Sequence, residues 1–493
     1  LPELIGGYDA LVVRSHTRVT SQVIEAGERL CVIGRAGTGA DNIDLESATR
    51  HGVLVVNAPN GNSVAVAEHT IGLMLSLARH IPLAESTMHA GRWEKKRLLG
   101  TELRDKVLGL VGLGRVGTAV SSRAQGLEMH VVAYDPFISP QRAAQLHVEL
   151  VGFDELLSRS DYLSLHAPST ERTRGMIGSR ELALMRPSAY LINCARGDLV
   201  VEEALVDALQ RDAIAGAALD VFVDEPNVSP ALRECPNLIL TPHLGASTAE
   251  AQSGAALQVT RQVLDVFEGK PPRYPVNVTA VPPKEMAFLQ PYLDLAYRMG
   301  RFYAQFAENN LTHIEMTYAG DIGEHNTDLL TTAALSGLLS EAKEEPVNLV
   351  NARLVASERG LIVSEVRTTK AEGFSDLITL RAHTTAKESV LGGTIIRGQP
   401  HILRVDDHWL DFIPQGFLLV SEHIEQPGVI GQMGTLLGNA GINISFVQVG
   451  RESIGGQGLM VTGLDGPLSQ ETLAQVMTLP SIRSAHTVSL PSA

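Results

Sequence analysis

The stretch VLGLVGLGRVGTAVSSRAQGLEMHVVAYD, residues 107–135, decides how this chain folds. A short apolar run, typical of a buried strand, leads into Gly112-Leu113-Gly114-Arg115-Val116-Gly117. A helical pattern follows, and a second apolar run, HVVAY, ends at Asp135. Each glycine of this strand–turn–helix–strand unit has a physical task. Gly112 permits the tight turn, Gly114 lets a pyrophosphate approach the backbone at the helix N-terminus, and Gly117 allows close helix–strand packing. Asp135 stands 18 residues beyond Gly117, where a ribose hydroxyl needs an acceptor. Its charge would repel a 2′-phosphate, and Pro136 and Phe137 follow it rather than arginine, so NAD is favoured over NADP. The plain alternative is a glycine-rich turn in a sheet that binds nothing. Strand, glycines, helix and acid in one register weigh against it.

The alternation continues on both sides. Apolar runs at 162–166, 189–193, 216–221 and 238–241, with a short one near 148–151, bring the total to seven strands separated mostly by helical patterns. This is a doubly wound parallel sheet. Upstream, ALVVRS, LCVIGR and LVVN between 10 and 57 are short strands with helices near 20–27 and 44–50, a second parallel βα series. The segment NAPNGN (57–62) interrupts it, and a long helical stretch is expected over roughly 63–90. The chain opens at Leu1 inside what reads as the end of a helix; a doubly wound domain puts a strand before that helix, so a few dozen preceding residues are expected. Beyond a helix at 248–268 and the proline-rich GKPPRYPVN (269–277) the texture changes. Residues 284–345 alternate helix and strand, 361–412 are mostly strands, and the tail from 417 runs βαββαβ, a ferredoxin-like order.

At 493 residues the chain exceeds one core, and three or four domains are expected. An apolar share of 44% with 19% charged residues fits an ordinary soluble protein. The net charge of −15 argues against non-specific binding to nucleic acid or to an anionic membrane. An anionic substrate would need a pocket that concentrates arginine against that sign. Cys31, Cys194 and Cys235 make no disulfide framework and no CxxC pair, so no metal site is expected and a reducing cytoplasm is the simple reading. The most apolar long stretch, Val64–Ala84, contains Glu68, His69, Arg79 and His80, which fits a buried or interface helix and not a membrane span. No signal-peptide pattern is visible.

Three strand ends carry residues suited to chemistry. Arg196 follows strand 189–193, Glu225 lies in the loop after strand 216–221, and His243 follows strand 238–241. Ligands of open α/β sheets bind outside the carboxyl ends of the strands. A helix cap or surface ion pair, a plain loop and a core histidine are the ordinary fates of such residues; three on one face of a dinucleotide sheet point to catalysis. Oxidising a hydroxyl requires a base near neutral pKa, which suits His243. A carboxylate beside it, Glu225, would fix the ring and favour its charged form. Arg196 could grip a carboxylate and polarise the adjacent carbonyl.

NCARG, DVFxxEP and PHLGAST, with GLGRVG upstream, resemble the D-isomer-specific 2-hydroxyacid dehydrogenases. VRSHTRVT (13–20), GRAGTGADNID (34–44), NAPNGNSVAVAEHT (57–70) and GRWEKKRLLGTEL (91–103) are similar to the phosphoglycerate-oxidising branch of that family. The resemblance spans essentially the whole chain. It implies oxidation of 3-phosphoglycerate to 3-phosphohydroxypyruvate, the first step of serine synthesis. It also implies a discontinuous, flavodoxin-like substrate domain (1–58 and 246–275), with a Rossmann-type NAD domain (59–245) inserted. An α+β intervening domain (276–412) and a βαββαβ ACT-type domain (417–493) would follow. The implied substrate contacts are Arg14, Ser15, Arg35, Asn60 and Gly61. The implied cofactor contacts are Thr38, Arg115, Val116, Asp135, Ala167, Cys194, Ala195, Asp220, Gly245 and Ala246, with the three fingerprint glycines. Threonine is usual at 167, and alanine removes a hydroxyl contact. Arg14 and Arg35 suit bidentate anion recognition and are favoured for the phosphate. The basic run Trp93–Arg97 is either a cation source for that phosphate across a dimer interface or a solvated loop.

For the intervening domain, spacer and anion site are both open. For the last module the resemblance implies L-serine binding by His423, Glu425 and Asn443, with an oligomerisation module without ligand as the alternative. Aspartate is common where Glu425 stands. A homodimer or homotetramer is implied. Two rivals stay open, another dehydrogenase of the family acting on hydroxypyruvate or glyoxylate, and a non-catalytic NAD-sensing protein.

Overall fold

The computed structural model describes residues 1–307, 310–340, 346–371, 373–385, 387–451 and 453–491. Its contacts divide the chain into two compact units, Leu1–Gly34 with Ala40–Val56 and Gln262–Ala493, and Arg35–Gly39 with Asn57–Arg261.

Three short apolar runs near the N-terminus form a three-stranded sheet of β1 (Ala10–Val13), β2 (Val32–Arg35) and β3 (Leu54–Asn57), in that order. The larger sheet holds β4 (Val107–Val111), β5 (His130–Tyr134), β6 (Glu149–Leu150), β7 (Tyr162–Leu165), β8 (Tyr190–Asn193), β9 (Gly216–Leu219) and β10 (Leu238–Leu240). Its order is β10-β9-β8-β7-β4-β5-β6, and every pairing is parallel. Parallel strands must be covered on both faces, and Leu110, Leu163, Leu191 and Ala217 are fully buried. The strand order reverses between β4 and β7, and open α/β sheets take their ligands outside the carboxyl ends at such a switch point.

The helical stretch expected over 63–90 forms as two helices, Ser63–Ala78 and Ile81–His89. Pro82 has no amide to give the Ala78 carbonyl. His80 turns into the left-handed region (φ 51°), and Thr101 donates its amide to the Ala78 carbonyl at 2.9 Å.

The six-stranded sheet that follows contains β11 (Leu311–Gly320), β12 (Ile362–Thr368), β13 (Asp376–Thr384), β14 (Glu388–Ile396), β15 (Gln399–Val405) and β16 (His408–Phe412). Its order is β12-β11-β13-β14-β15-β16, and the helix Pro283–Phe306 buries Leu289, Leu295, Met299 and Phe302 in its core. The tail forms β17 (Gly416–Ile424), β18 (Ile444–Arg451), β19 (Gln457–Leu464) and β20 (Ile482–Leu490), in the order β18-β19-β17-β20. Helices Val429–Asn439 and Gln470–Met477 complete a βαββαβ unit. Among the described residues no helix is long and apolar enough to cross a membrane.

Candidate active site

The glycine turn after β4 leads into the helix Arg115–Gly126. Gly112 has φ +94°, and a Cβ there would lie 2.9 Å from the His166 carbonyl oxygen. A Cβ on Gly117 would stand 2.2 Å from the Gly112 oxygen, so only glycine lets this helix sit so close to the turn. A Cβ on Gly114 would meet nothing within 4 Å, so its backbone faces open space. Asp135 takes the Leu113 amide on one oxygen at 2.8 Å and the Phe137 amide on the other at 2.9 Å. Each oxygen keeps acceptor capacity for a hydroxyl. Open glycine backbone, a helix N-terminus at exposed Arg115 and half-buried Val116, and a carboxylate at the next strand end fit a dinucleotide with unmodified ribose.

Beyond β7, Ala167 presents a methyl and no hydroxyl. His166 beside it contacts Ser164 Oγ through Nε2 at 3.0 Å, and burial holds its imidazole at about 4, hence neutral at neutral pH. The one sequence signal for His166 is its position directly after a switch-point strand. Cys194 is buried, and burial pushes its thiol up to about 12. Asn193 accepts the Ala195 amide at 3.0 Å and donates to the Arg196 carbonyl at 2.8 Å. This closed turn sets Arg196 at the lip of β8.

His243 has a left-handed backbone (φ 55°) and gives its amide to the Asp220 carbonyl at 2.9 Å. Its Nδ1 lies 2.7 Å from Glu225 Oε2, while Glu225 Oε1 accepts the Phe222 amide at 3.0 Å. The hydrogen bond to Glu225 raises the His243 pKa, with burial opposing. Burial pushes Glu225 up, but the bonds from His243 and Phe222 prevail and hold it below the usual carboxylate range. Glu225 is therefore an acceptor, Nδ1 carries the proton, and Nε2 is the nitrogen left to exchange one.

Asp220, 1% exposed, has its carboxylate filled by the chain itself. Oδ1 accepts the Thr241 hydroxyl at 2.6 Å and the Leu244 amide at 2.7 Å, and Oδ2 accepts the Gly245 amide at 2.8 Å. His69 Nε2 stands 3.2 Å from Oδ1. Burial pushes Asp220 up, but these bonds outweigh it and keep the pKa low. Ligand atoms of His69, Cys194 and Asp220 lie within 4.8 Å of one another. With donors on both oxygens and a protonated thiol, the group is a hydrogen-bonded clamp and not a cation cage. Nothing in the local sequence marks His69 or Thr241 as members of this clamp. Ala246, half-buried, follows Gly245 in the clamped loop.

The substrate-side residues fall in both units. In the first, Arg14 and Ser15 are exposed beyond β1, and Asn42 Nδ2 braces their loop through the Arg14 and Thr17 carbonyls at 3.0 and 2.6 Å. In the second, the Arg35 guanidinium folds over Gly37, where a Cβ would lie 1.5 Å from Nη1. Thr38 donates to Asn62 Oδ1 at 2.8 Å, Asn60 is exposed, and Gly61 packs so closely on Ala255 that a Cβ would come within 3.0 Å. In the basic run Trp93 is exposed and Lys95–Arg97 form a 3-10 turn. Glu94 pairs with Arg97 at 2.8 Å and with Arg92 at 3.5 Å, which offsets part of the charge.

In the tail, His423 is buried on β17 opposite Gly458, and burial lowers its pKa. Glu425 accepts the Gly455 amide at 2.9 Å and pairs with Arg451; both interactions lower its pKa. Asn443 donates to Asp465 at 2.6 Å, just before Ile444, which sits opposite Leu464. Gly458 and Leu464 are about 20 Å apart along β19 at the rise of a strand. One chain therefore does not gather His423 and Asn443 at one end of the sheet.

Residues 71–245 match the profile described as the NAD binding domain of the D-isomer specific 2-hydroxyacid dehydrogenases. Residues 288–406 match the D-3-phosphoglycerate dehydrogenase intervening domain. The chain is 43% identical to the D-3-phosphoglycerate dehydrogenase of Synechocystis sp., over 99% of this chain and 88% of that one. It is 42% identical to the protein of the same name from Methanocaldococcus jannaschii, over 99% and 94%. The solved structure of a glyoxylate reductase from Paecilomyes thermophila is 32% identical with a TM-score of 0.52, and covers 55% of this chain and 85% of its own. The cofactor turn, the strand-end triad and the matched length lead to one conclusion: the chain belongs to the D-3-phosphoglycerate dehydrogenase family of D-isomer-specific 2-hydroxyacid dehydrogenases.

Proposed function

We propose that this chain oxidises D-3-phosphoglycerate to 3-phosphohydroxypyruvate with NAD, the first step of L-serine biosynthesis, in the cytoplasm. The observation that carries the chemistry is the 2.7 Å contact between His243 Nδ1 and Glu225, on the carboxyl edge of the sheet that bears the dinucleotide turn. With Nδ1–H given to Glu225, the His243 Nε2 lone pair takes the proton of the substrate hydroxyl. When bound, NAD supplies the acceptor for the hydrogen and electron pair that leave the same carbon. Arg196 holds the carboxylate and steadies the carbonyl oxygen as it forms. Gly112, Gly114, Arg115, Val116, Gly117 and Asp135 hold the adenosine and pyrophosphate side of the cofactor, and Thr38, Ala167, Cys194, Ala195, Asp220, Gly245 and Ala246 surround the rest. Within the unit that bears the cofactor turn, Arg35 is the proposed phosphate contact, with Asn60 and Gly61 as further contacts.

The tail is assigned as an ACT-type regulatory module that takes L-serine. The separation of His423 from Asn443 within one chain supports a site completed by a second copy, and hence a homodimer or homotetramer. Loss of NADH with phosphohydroxypyruvate, measured with and without L-serine, tests both readings. Oxidation suppressed by serine is the expected result. Oxidation indifferent to serine removes the effector and keeps the enzyme, and turnover of glyoxylate or hydroxypyruvate alone removes the substrate. Native mass in solution tests the assembly.

A further inference from the structure

The helix Ser63–Ala78 buries Ala65, Val66, Ala67, Leu73, Met74 and Leu77, as a helix covering a parallel sheet should. From it one imidazole reaches the strand ends. His69 Nε2 is 3.1 Å from Thr241 Oγ1 and 3.2 Å from Asp220 Oδ1. The proton inventory fixes its form. The single hydroxyl proton of Thr241 already goes to Asp220 at 2.6 Å. A carboxylate that also receives the amides of Leu244 and Gly245 has no proton to offer. Both neighbours of Nε2 are thus acceptors toward it, so His69 carries its proton on Nε2 and shares it between them.

Asp220 consequently gathers four donors, two of them the amides that follow His243. The backbone of His243 is held from the same residue, through its amide to the Asp220 carbonyl at 2.9 Å. The loop that aims the His243 ring, already committed to a left-handed residue, is fixed at Asp220, and Asp220 is fixed by Thr241 and His69. We propose that His69 is a positioning residue of the reaction, which holds the His243 loop in register by donating Nε2–H to the Asp220–Thr241 pair. This rests on the acid–base reading of His243. His69 itself does not touch the reacting atoms in this account.

The test compares His69→Gln, whose amide nitrogen can donate from nearly the same point, with His69→Met, which fills similar space and donates nothing. A small misplacement of a catalytic group costs on the order of 10- to 100-fold in turnover. His69→Met should lose kcat within that range while KM for 3-phosphoglycerate stays within about twofold, and His69→Gln should recover most of the loss. Hydrogen exchange across residues 243–248 provides a readout that needs no turnover: His69→Met should expose the Leu244 and Gly245 amides, and His69→Gln should keep them protected. Equal kcat in all three proteins overturns the proposal. So does equal loss in both variants with a common fall in melting temperature, which marks mere packing. If the parent protein turns over no phosphoglycerate, the exchange pattern still decides the clamp, and the activity reading fails separately.

Discussion

Gly114→Ala and Gly117→Ala differ by three positions and should fail in different ways. A Cβ at Gly117 lies 2.2 Å from the Gly112 carbonyl oxygen, where ordinary contact begins near 3.4 Å. The helix Arg115–Gly126 or the turn must give by about 1 Å, and the atom in the way is backbone, which cannot rotate aside. Overpacking of this kind costs about 1–3 kcal/mol. For a unit of this size that is a fall of roughly 3–10 °C in melting temperature. At Gly114 the free protein has room, because nothing lies within 4 Å of an added Cβ. The methyl instead stands where a pyrophosphate would approach. Gly114→Ala should therefore melt like the parent and bind NADH at least about tenfold more weakly, a loss of about 1.4 kcal/mol. Gly117→Ala should lose both stability and affinity. Fluorescence titration with NADH beside a thermal melt separates the two. Parent-like NADH binding by Gly114→Ala would refute the assignment of this turn to the cofactor, whatever Gly117→Ala does.

Further perturbations probe the rest of the molecule. His243→Ala should cut turnover by about 10²- to 10⁴-fold with NADH binding nearly unchanged, the range for a positioned acid–base group. Glu225 raises the His243 pKa, so phosphoglycerate oxidation, which needs neutral His243, should rise with pH through that raised value; Glu225→Gln should move the rise to lower pH in a pH–rate profile. In stability the His243 contribution is complete below its unfolded pKa of about 6.5 and lost as pH climbs through the raised one, while the Glu225 contribution is complete above about 4.5 and lost as pH falls through its lowered one. Both are present near pH 5–6, and the half-exposed pair keeps the effect small in a pH series of melts. Arg298, nearly buried, donates to the carbonyls of Pro414 at 2.9 Å and Pro491 at 2.6 Å and pairs with Asp294. Arg298→Met strands these acceptors and should destabilise the C-terminal region by about 2–4 kcal/mol, read by denaturant unfolding.

What was legible in the sequence was local. The glycine turn, Asp135 and the seven strands of the large sheet each rest on a few consecutive residues and on the steric needs of parallel βα units. Arg196, Glu225 and His243 could be placed on one sheet edge because each follows a strand by a few residues. The break at His80 depends on a partner outside the local pattern: the Ala78 carbonyl goes to Thr101, which no helical periodicity announces. The clamp on Asp220 joins residues 69, 220, 241, 244 and 245, and only the packed sheet brings them together. In sequence His69 is one polar residue in an apolar helix, and its partners Thr241 and Asp220 lie across the sheet. The distance between His423 and Asn443 likewise rests on the strand register, in which Gly458 and Leu464 face opposite ends of β17.

The most direct measurement is NADH formation from NAD and D-3-phosphoglycerate by the full chain, with His243→Ala as control and D-lactate and D-glycerate alongside. Formation of NADH from the phosphorylated acid in strong preference to the other two, abolished in the control, is the expected result. No turnover of D-3-phosphoglycerate, or undiminished turnover in His243→Ala, would contradict the assignment of this site.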